Sequence, residues 1–178
     1  MAIAFSLFDT AIGTGGIAWG DQGIVGIQLP EPDPAALRAR IRRRFSGALE
    51  TEPPPAIDRA IRGMTDLLNG GAADLSDVVL DFEGVPEFDR QVYVVARTVP
   101  AGETTSYGEI ATRLGDVHLA RDVGQALAHN PFPIVVPCHR VLAAGGKLGG
   151  FSARGGVRTK QQLLEIERAS VSWQLPLV

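Results

Sequence analysis

Cysteine is almost absent from this sequence: its 178 residues contain a single one, Cys138. One thiol excludes an internal disulfide framework and any zinc site built on several thiolates. The sequence also lacks an apolar run approaching the ~20 residues that cross a bilayer, and it lacks a basic segment followed by an apolar signal core. A lone reactive thiol survives best in a reducing compartment, so we predict a cytoplasmic protein without membrane contact.

Acidic side chains are missing from one long stretch. Between Val123 and Leu164 there is no Asp or Glu, whereas the preceding stretch from Asp81 to Asp122 carries eight carboxylates against four arginines. The formal net charge is only −3, so this segregation predicts a local positive face that suits a phosphate backbone, although basic runs are usually solvated surface. The basic residues of the stretch are Arg140, Lys147, Arg154, Arg158 and Lys160.

Secondary-structure patterns predict an α+β fold of two parts. Residues 1–85 form a small N-terminal α/β domain with an antiparallel sheet, and residues 86–178 form a mainly helical C-terminal domain, with the boundary at the Gly-Val-Pro sequence of residues 84–86. Short β-rich segments separated by glycines predict the sheet, and apolar residues at helical spacing predict two helices. The predicted N-terminal elements are strands at 3–9, 15–19, 23–29 and 78–82, and helices at 34–45 and 56–68.

The second part begins with a helix predicted over 87–99. Ser106 and Glu109 fit a capping box, so a helix begins with Tyr107, and Gly115 ends it. A second helix is predicted from about 119 to 129, and the two together form a helix-turn-helix. Glycine-dense residues 145–156 predict a loop, and a last helix follows over 157–169.

The sequence from Ile134 to Val141 carries the chemistry. Its apolar start predicts a buried strand that ends at Pro137, and Cys138 follows directly, with an imidazole and a guanidinium next in the chain. Neighbouring cationic or proton-accepting groups favour the reactive thiolate. Neighbours on a strand point to opposite faces, so His139 can serve Cys138 only if the chain turns at Pro137 or a water bridges them. The alternative is that Cys138 is one more small core residue.

The run Pro137-Cys138-His139-Arg140-Val141, preceded by Asn130-Pro131, resembles the acceptor-site signature of the O6-alkylguanine-DNA alkyltransferases. The resemblance implies irreversible transfer of an alkyl group from O6 of guanine to the protein's own cysteine. It further implies double-stranded DNA carrying O6-alkylguanine as the partner, a monomer, and no organic cofactor because each molecule reacts once. Some members hold a structural zinc, but its ligands cannot be assembled in residues 1–85, so no metal is expected.

The same resemblance assigns roles around the thiol. Cys138 matches the acceptor, His139 the histidine that relays the thiol proton through water, and Glu167 the carboxylate that orients it. Tyr107 matches the phenol that hydrogen-bonds the extruded base, Ser152 the residue that reaches O6, and Asn130 the amide that braces the acceptor turn. Val141 and Phe151 match further positions of the base pocket, with Phe151 as its aromatic wall.

DNA contacts are implied for a second group of residues. Arg121 matches the arginine that fills the stack vacated by the flipped base, and Ala120 the small residue that lets the helix approach the minor groove. Gly124 suits close approach of helix and backbone, and Arg140 is expected to contact DNA. Asp122 departs from the family pattern, because a carboxylate there repels phosphate. The segment 153–156 is slightly longer than the corresponding segment in many members of the family.

Two other functions compete with alkyl transfer. An alkyltransferase-like protein would recognise damaged DNA without repairing it, and a related variant would act on a different DNA substrate. Members of the recognition type usually lack the acceptor cysteine, which is present here. A cysteine hydrolase or peptidase would have the right residue types in Cys138 and His139, but no surrounding signature supports it. Transcriptional regulation through the helix-turn-helix would normally need a further domain.

Overall fold

A computed structural model describes residues 2–169. Residues up to Gly84 and the segment Pro131–Val135 form one compact unit, and Val85–Asn130 with the described residues from Val136 onward form a second. The described chain combines a four-stranded sheet with helices, which confirms the predicted α+β class. The segment 131–135 lies with the first unit, and the roles predicted for the two domains stay predictions. No described helix has both the length and the apolar character required to span a membrane.

The first unit is built on a mixed sheet. Its strands are β1 (Ala4–Thr10), β2 (Gly13–Gly20), β3 (Gly23–Glu31) and β4 (Leu49–Glu50), in the order β3-β2-β1-β4. The first three are antiparallel, as predicted, and β4 adds a short parallel pairing at β1. The two tight connections require φ > 0, which Gly13 and Gly23 supply at φ 128° and 138°.

Two helices complete the first unit, α1 (Pro34–Arg44) and α2 (Pro55–Leu68). Asp33 caps α1 by accepting hydrogen bonds from two backbone amides of the first turn, and Pro34 stands where its missing N–H costs nothing. Leu37 and Ile41 of α1 are buried in a core with Phe5, which the i, i+4 pattern predicts.

The strand predicted over 78–82 is wrong, because only a single bridge forms there, between Leu80 and Ile24. Two backbone hydrogen bonds surround the bridge, from Ile24 N to Val79 O and from Asp81 N to Ile24 O. The Asp81 carboxylate then accepts a hydrogen bond at 2.8 Å from the backbone N–H of Glu83. That local turn redirects the chain and stops the pairing.

The second unit contains four α-helices and one small parallel sheet among its described residues. The helices are α3 (Glu87–Ala96), α4 (Tyr107–Arg113), α5 (Ala120–Ala128) and α6 (Val157–Ile166), and β5 (Thr105–Ser106) pairs with β6 (Val141–Leu142). The predicted capping box is confirmed: Ser106 accepts from Glu109 N, and Glu109 accepts from Ser106 N. Tyr93 of α3 donates a buried hydrogen bond of 2.8 Å to Ala126 O of α5.

Candidate active site

The acceptor turn is a short 3₁₀ helix, Cys138–Arg140. Cys138 N donates to Val136 O at 2.8 Å, and Arg140 N donates to Pro137 O at 2.9 Å. Asn130 supports the turn from outside, since its Nδ2 donates to Val136 O at 2.9 Å. The chain therefore turns at Pro137, which is the condition that the sequence sets for His139 to act near Cys138.

The buried strand predicted over 134–136 is wrong. These residues are buried, but Ile134 has φ 76° and lies in a turn. Prolines at 131, 133 and 137 remove three backbone donors within seven residues, so a regular ladder cannot form. A β-branched residue with positive φ is strained by about 1–3 kcal/mol, and such strain persists only where the surrounding structure enforces it.

His139 and Glu167 form a buried pair. Nε2 of His139 lies 2.9 Å from Oε1 of Glu167, and both side chains are almost inaccessible to solvent. A carboxylate only accepts, so this contact assigns the proton to Nε2 and leaves the lone pair on Nδ1. Nδ1 is buried without a hydrogen-bond partner among the described residues. The imidazole is thus set up to take a proton at Nδ1 while Glu167 stabilises the resulting cation.

Arg140 is also part of this cluster. Its Nε and Nη2 donate to the Glu167 carboxylate at 2.7–3.2 Å, and its Nη1 donates to Val99 O at 2.7 Å. Only 6% of Arg140 is exposed. The placement contradicts the expectation that Arg140 contacts DNA, because the side chain is buried and each of its three guanidinium nitrogens donates to a partner inside the protein. Sequence neighbourhood alone does not reveal this, since Glu167 is 27 residues away.

These contacts shift the proton affinities of the cluster. Burial alone would raise the pKa of Glu167, but hydrogen bonds from His139 and Arg140 and their charges lower it to about 2. Burial lowers the pKa of His139, and the Glu167 carboxylate offsets part of that effect. At neutral pH the resting pair is therefore a neutral imidazole beside an ionised carboxylate.

The Cys138 thiol is held in its protonated form. Burial raises its pKa, against opposing effects from the Asn130 side chain, the positive charge of Lys160 and nearby backbone amides. Burial, with the nearby Cys138, likewise raises the pKa of Tyr107, so its phenol keeps its proton at neutral pH. A protonated thiol needs a base before it can attack, and His139 offers one.

A cavity of about 460 Å³ opens beside the thiol. Its lining brings together five of the predicted residues and adds three from α5 and the glycine loop. Ser152 Oγ donates to Ala128 O at 2.7 Å, so its backbone N–H is the group left for a ligand's acceptor. The lining residues are Tyr107, Gly124, Leu127, Ala128, Cys138, Gly150, Phe151 and Ser152.

The remaining predicted residues lie away from this lining. Val141 is fully buried, and its carbonyl accepts a hydrogen bond from Lys160 Nζ at 2.6 Å. Ala120 and Arg121 open α5, with Ala120 half-buried and the Arg121 side chain exposed. Asp122, the departure from the family pattern, is exposed beside Arg121.

Two buried cations reduce the positive face predicted from charge segregation. Arg140 and Lys160 are internal, so only Lys147, Arg154 and Arg158 of that basic stretch reach the surface. Sequence reasoning missed Lys160 as part of the site. The available signal was its position in α6, where Lys160 shares one helical face with Leu163, Leu164 and Glu167. Within residues 2–169, no three His, Cys, Asp or Glu side chains gather as a metal site would require.

Comparison with known proteins shows which family the chain resembles. The family model described as "6-O-methylguanine DNA methyltransferase, DNA binding domain" matches residues 87–169. A methylated-DNA–protein-cysteine methyltransferase of Methanothermobacter thermautotrophicus is 37% identical over 159 residues, which cover 89% of this chain and 82% of that protein. A Mycolicibacterium paratuberculosis protein of the same name is 47% identical over 118 residues, covering 66% of this chain and 69% of the relative.

Comparison with solved structures indicates the same family. The crystal structure of Mycobacterium tuberculosis O6-methylguanine methyltransferase has a TM-score of 0.73 at 34% identity and covers 93% of both chains. The Mycobacterium tuberculosis OGT crystallised in complex with DNA has a TM-score of 0.74 at 33% identity, covering 93% of this chain and 92% of that one. This chain belongs to the methylated-DNA–protein-cysteine methyltransferase family.

Proposed function

We propose that this chain repairs DNA by transferring an alkyl group irreversibly from O6 of guanine to Sγ of Cys138. The observation that carries the proposal is the position of the only thiol: Cys138 lines a cavity, and the next residue in the chain belongs to the buried His139–Glu167 pair. Family membership supplies the reaction class, and the relative solved in complex with DNA supports DNA as the partner.

The transfer is an in-line displacement at carbon. Cys138 gives its proton to His139 Nδ1 through a bridging water, and the thiolate then attacks the alkyl carbon. The S–C bond forms as the C–O6 bond breaks, and the electron pair stays on the guanine oxygen. A proton equivalent to the one lost by the thiol returns to guanine, so the products are a thioether and an unmodified base. Cys138 is consumed, which makes the reaction single-turnover and leaves no role for a cofactor.

Groups around the cavity would assist the departure of guanine. The Tyr107 phenol, which keeps its proton, is suited to hydrogen-bond the base and neutralise developing negative charge. The Ser152 backbone N–H would face O6, and the Phe151 ring would form an apolar wall for the base. Asn130 would act indirectly, by bracing the turn that carries Cys138.

The target atom lies inside the duplex, so the nucleotide must be extruded at a cost of a few kcal/mol. The α4–α5 pair would bind the minor groove, with Ala120 and Gly124 allowing close approach. Arg121, exposed at the first turn of α5, would fill the vacated position in the stack. The protein would act as a monomer in the cytoplasm, where a free thiol remains reduced.

Intact mass measurement tests the proposal. The protein would be incubated with a duplex oligonucleotide containing O6-methylguanine, and the modified peptide would be mapped, with Cys138→Ser as the control. One methyl group on Cys138, absent from the control, is the expected result. Lesion-selective binding without a mass change would instead indicate a recognition protein, for which the exposed Asp122 beside Arg121 would be the first residue to test. Neither binding nor transfer would point to a different DNA substrate.

A further inference from the structure

Lys160 is a buried charge that the reaction described above does not use. It lies on α6 and is fully inaccessible to solvent. Lysine is rarely buried without a paired partner, because desolvating an ammonium group is expensive. Among the described residues, no carboxylate forms an ion pair with Lys160. The buried Arg140, in contrast, is paired with Glu167.

The side chain of Lys160 contacts groups close to the candidate site. Its Nζ donates to Val141 O at 2.6 Å, three residues after the acceptor cysteine. The same nitrogen lies 5.7 Å from the centroid of the Tyr107 ring and 5.9 Å from that of Phe151. Both distances fall within the range of cation–π attraction, and both rings line the cavity that Cys138 shares.

We propose that Lys160 is an electrostatic positioning residue for alkyl transfer: its buried ammonium stabilises Cys138 as a thiolate and holds the two aromatic walls of the base pocket. The proposal rests on the proposed function for its biological meaning, but not for its effect on the thiol. Lys160 keeps its proton throughout, so the proton and electron balance of the transfer is unchanged.

The charges that appear during thiol activation explain why such a lysine would be useful. When Cys138 passes its proton to His139, an anion and a cation form where there were two neutral groups. The imidazolium forms beside Glu167, and the thiolate forms in the field of Lys160, so each new charge meets an existing opposite one. The titratable groups that share this environment are Cys138, His139, Tyr107 and Tyr93.

Electrostatic effects on the two groups agree with this geometry. Burial lowers the pKa of Lys160 to about 8, and the nearby Cys138 acts against that shift by favouring the ammonium form. Reciprocally, the charge of Lys160 lowers the pKa of the Cys138 thiol against the effect of burial. Linkage requires this reciprocity, because one interaction stabilises both charged forms.

Thiol reactivity without DNA tests the proposal apart from the repair activity. The rate at which iodoacetamide modifies Cys138 would be measured from pH 6 to 10 in wild type, Lys160→Gln and Lys160→Met. Glutamine can still donate to Val141 O but carries no charge, so it separates the hydrogen bond from the electrostatic effect. Lys147→Met is the matched control, because Lys147 is an exposed lysine on the neighbouring glycine-rich loop. Melting curves establish that each variant is folded.

The expected result is about tenfold slower modification of both Lys160 variants at pH 7, where Lys160 carries its charge, and a difference from wild type that narrows above about pH 8 as Lys160 loses its proton. In this DNA-free reaction Lys147→Met should match wild type. Methyl transfer from the O6-methylguanine duplex should slow by a similar factor. An unchanged pH profile in folded Lys160→Gln would overturn the proposal. If wild type took no methyl group from DNA, the proposed function would fail, whereas the iodoacetamide comparison would still decide the role of Lys160.

Discussion

The two compact units handle charge in opposite ways. In the first, three arginines of α1 form ion pairs near the surface, as Arg38 does with Glu50, where both side chains are about a third exposed. Its one buried charged residue among those described, Glu31, pairs with the partly exposed Arg40. The second unit buries Arg140, Glu167 and Lys160 together with His139.

The difference indicates what each arrangement is for. Surface pairs contribute about 0–1 kcal/mol and are easily tolerated. A buried charged cluster costs desolvation energy that an apolar core of the same shape would avoid. Such a cluster therefore indicates a catalytic role rather than a stabilising one. In this chain the buried charges contact the turn that carries the only thiol and the rings that line its cavity, which is where alkyl transfer would create new charge.

The largest effect should come from removing the base. His139→Gln retains a group of similar size that can hydrogen-bond Glu167 but cannot take up the thiol proton. We expect single-turnover methyl transfer to slow by about 10²–10⁴-fold. Rapid-quench measurement of the transferred methyl group would show this, with DNA affinity measured separately. A loss below threefold would mean that the cluster does not activate the thiol.

Removing the buried guanidinium should cost the most stability. Arg140→Leu leaves the Glu167 carboxylate buried without a charged partner, next to the neutral imidazole of His139, so we expect a loss of about 3–5 kcal/mol in the free energy of unfolding. Urea denaturation would measure it. If the variant were as stable as wild type, the contrast between the two units would be wrong.

Denaturation at low pH should show how much the Glu167 carboxylate contributes to stability. Hydrogen bonds and charges lower the pKa of Glu167 to about 2, below its ordinary value of 4.5, so its contribution to stability is complete above 4.5 and is lost as pH falls toward 2. Its full size is about 3 kcal/mol. Glu167→Gln should therefore weaken the pH dependence of unfolding between pH 5 and 2. An identical slope in both proteins would show that the carboxylate is not stabilised in the folded state.

At pH 7 the buried charge of Lys160 should destabilise the folded protein, whereas the charge of Glu167 stabilises it. Burial lowers its pKa to about 8 from an ordinary 10.5, so the folded protein at pH 7 holds an ammonium that the unfolded chain would hydrate more favourably. That cost is about 3 kcal/mol, present in full below pH 8 and relieved as pH rises toward 10.5. Lys160→Met should raise the free energy of unfolding at pH 7 by about 2 kcal/mol, after the lost hydrogen bond is allowed for. A purely structural lysine would instead leave a less stable variant.

The smallest effect should come from the first unit. Arg38→Leu breaks the pair with Glu50, whose oxygens accept from Arg38 at 2.7 and 2.9 Å. Because both groups reach water, we expect only a marginal loss of stability, which salt reduces further. A loss equal to that of Arg140→Leu would remove the distinction between surface and buried pairs in this protein.

Local signals account for what the sequence predicts well. Capping and helical spacing give α1, α2 and the capping box of α4, because those patterns act within a few residues. The strand predicted over 134–136 failed because apolar composition does not register the left-handed φ of Ile134 between prolines. Hydrophobicity indicates burial, and the backbone path then depends on donors that proline removes.

The candidate site likewise contains residues whose place the sequence predicts and residues whose place it does not. The identity of Cys138, His139 and Glu167 follows from the acceptor motif and its resemblance to a family, and the structure brings His139 and Glu167 together at 2.9 Å. The interior placement of Arg140 and Lys160 could not be predicted from a basic stretch of sequence. Their partners, Glu167 and the pocket rings, are distant in the chain and become neighbours only through folding.

The most direct test follows the alkyl group itself. A duplex carrying O6-trideuteromethylguanine would be mixed with an equal amount of protein, and both the protein peptides and the DNA bases would be analysed by mass spectrometry. We predict one trideuteromethyl group on the Cys138 peptide for each guanine restored, with no further turnover. Label on another residue, or label released to solvent over repeated turnovers, would contradict the assignment of Cys138 as the acceptor.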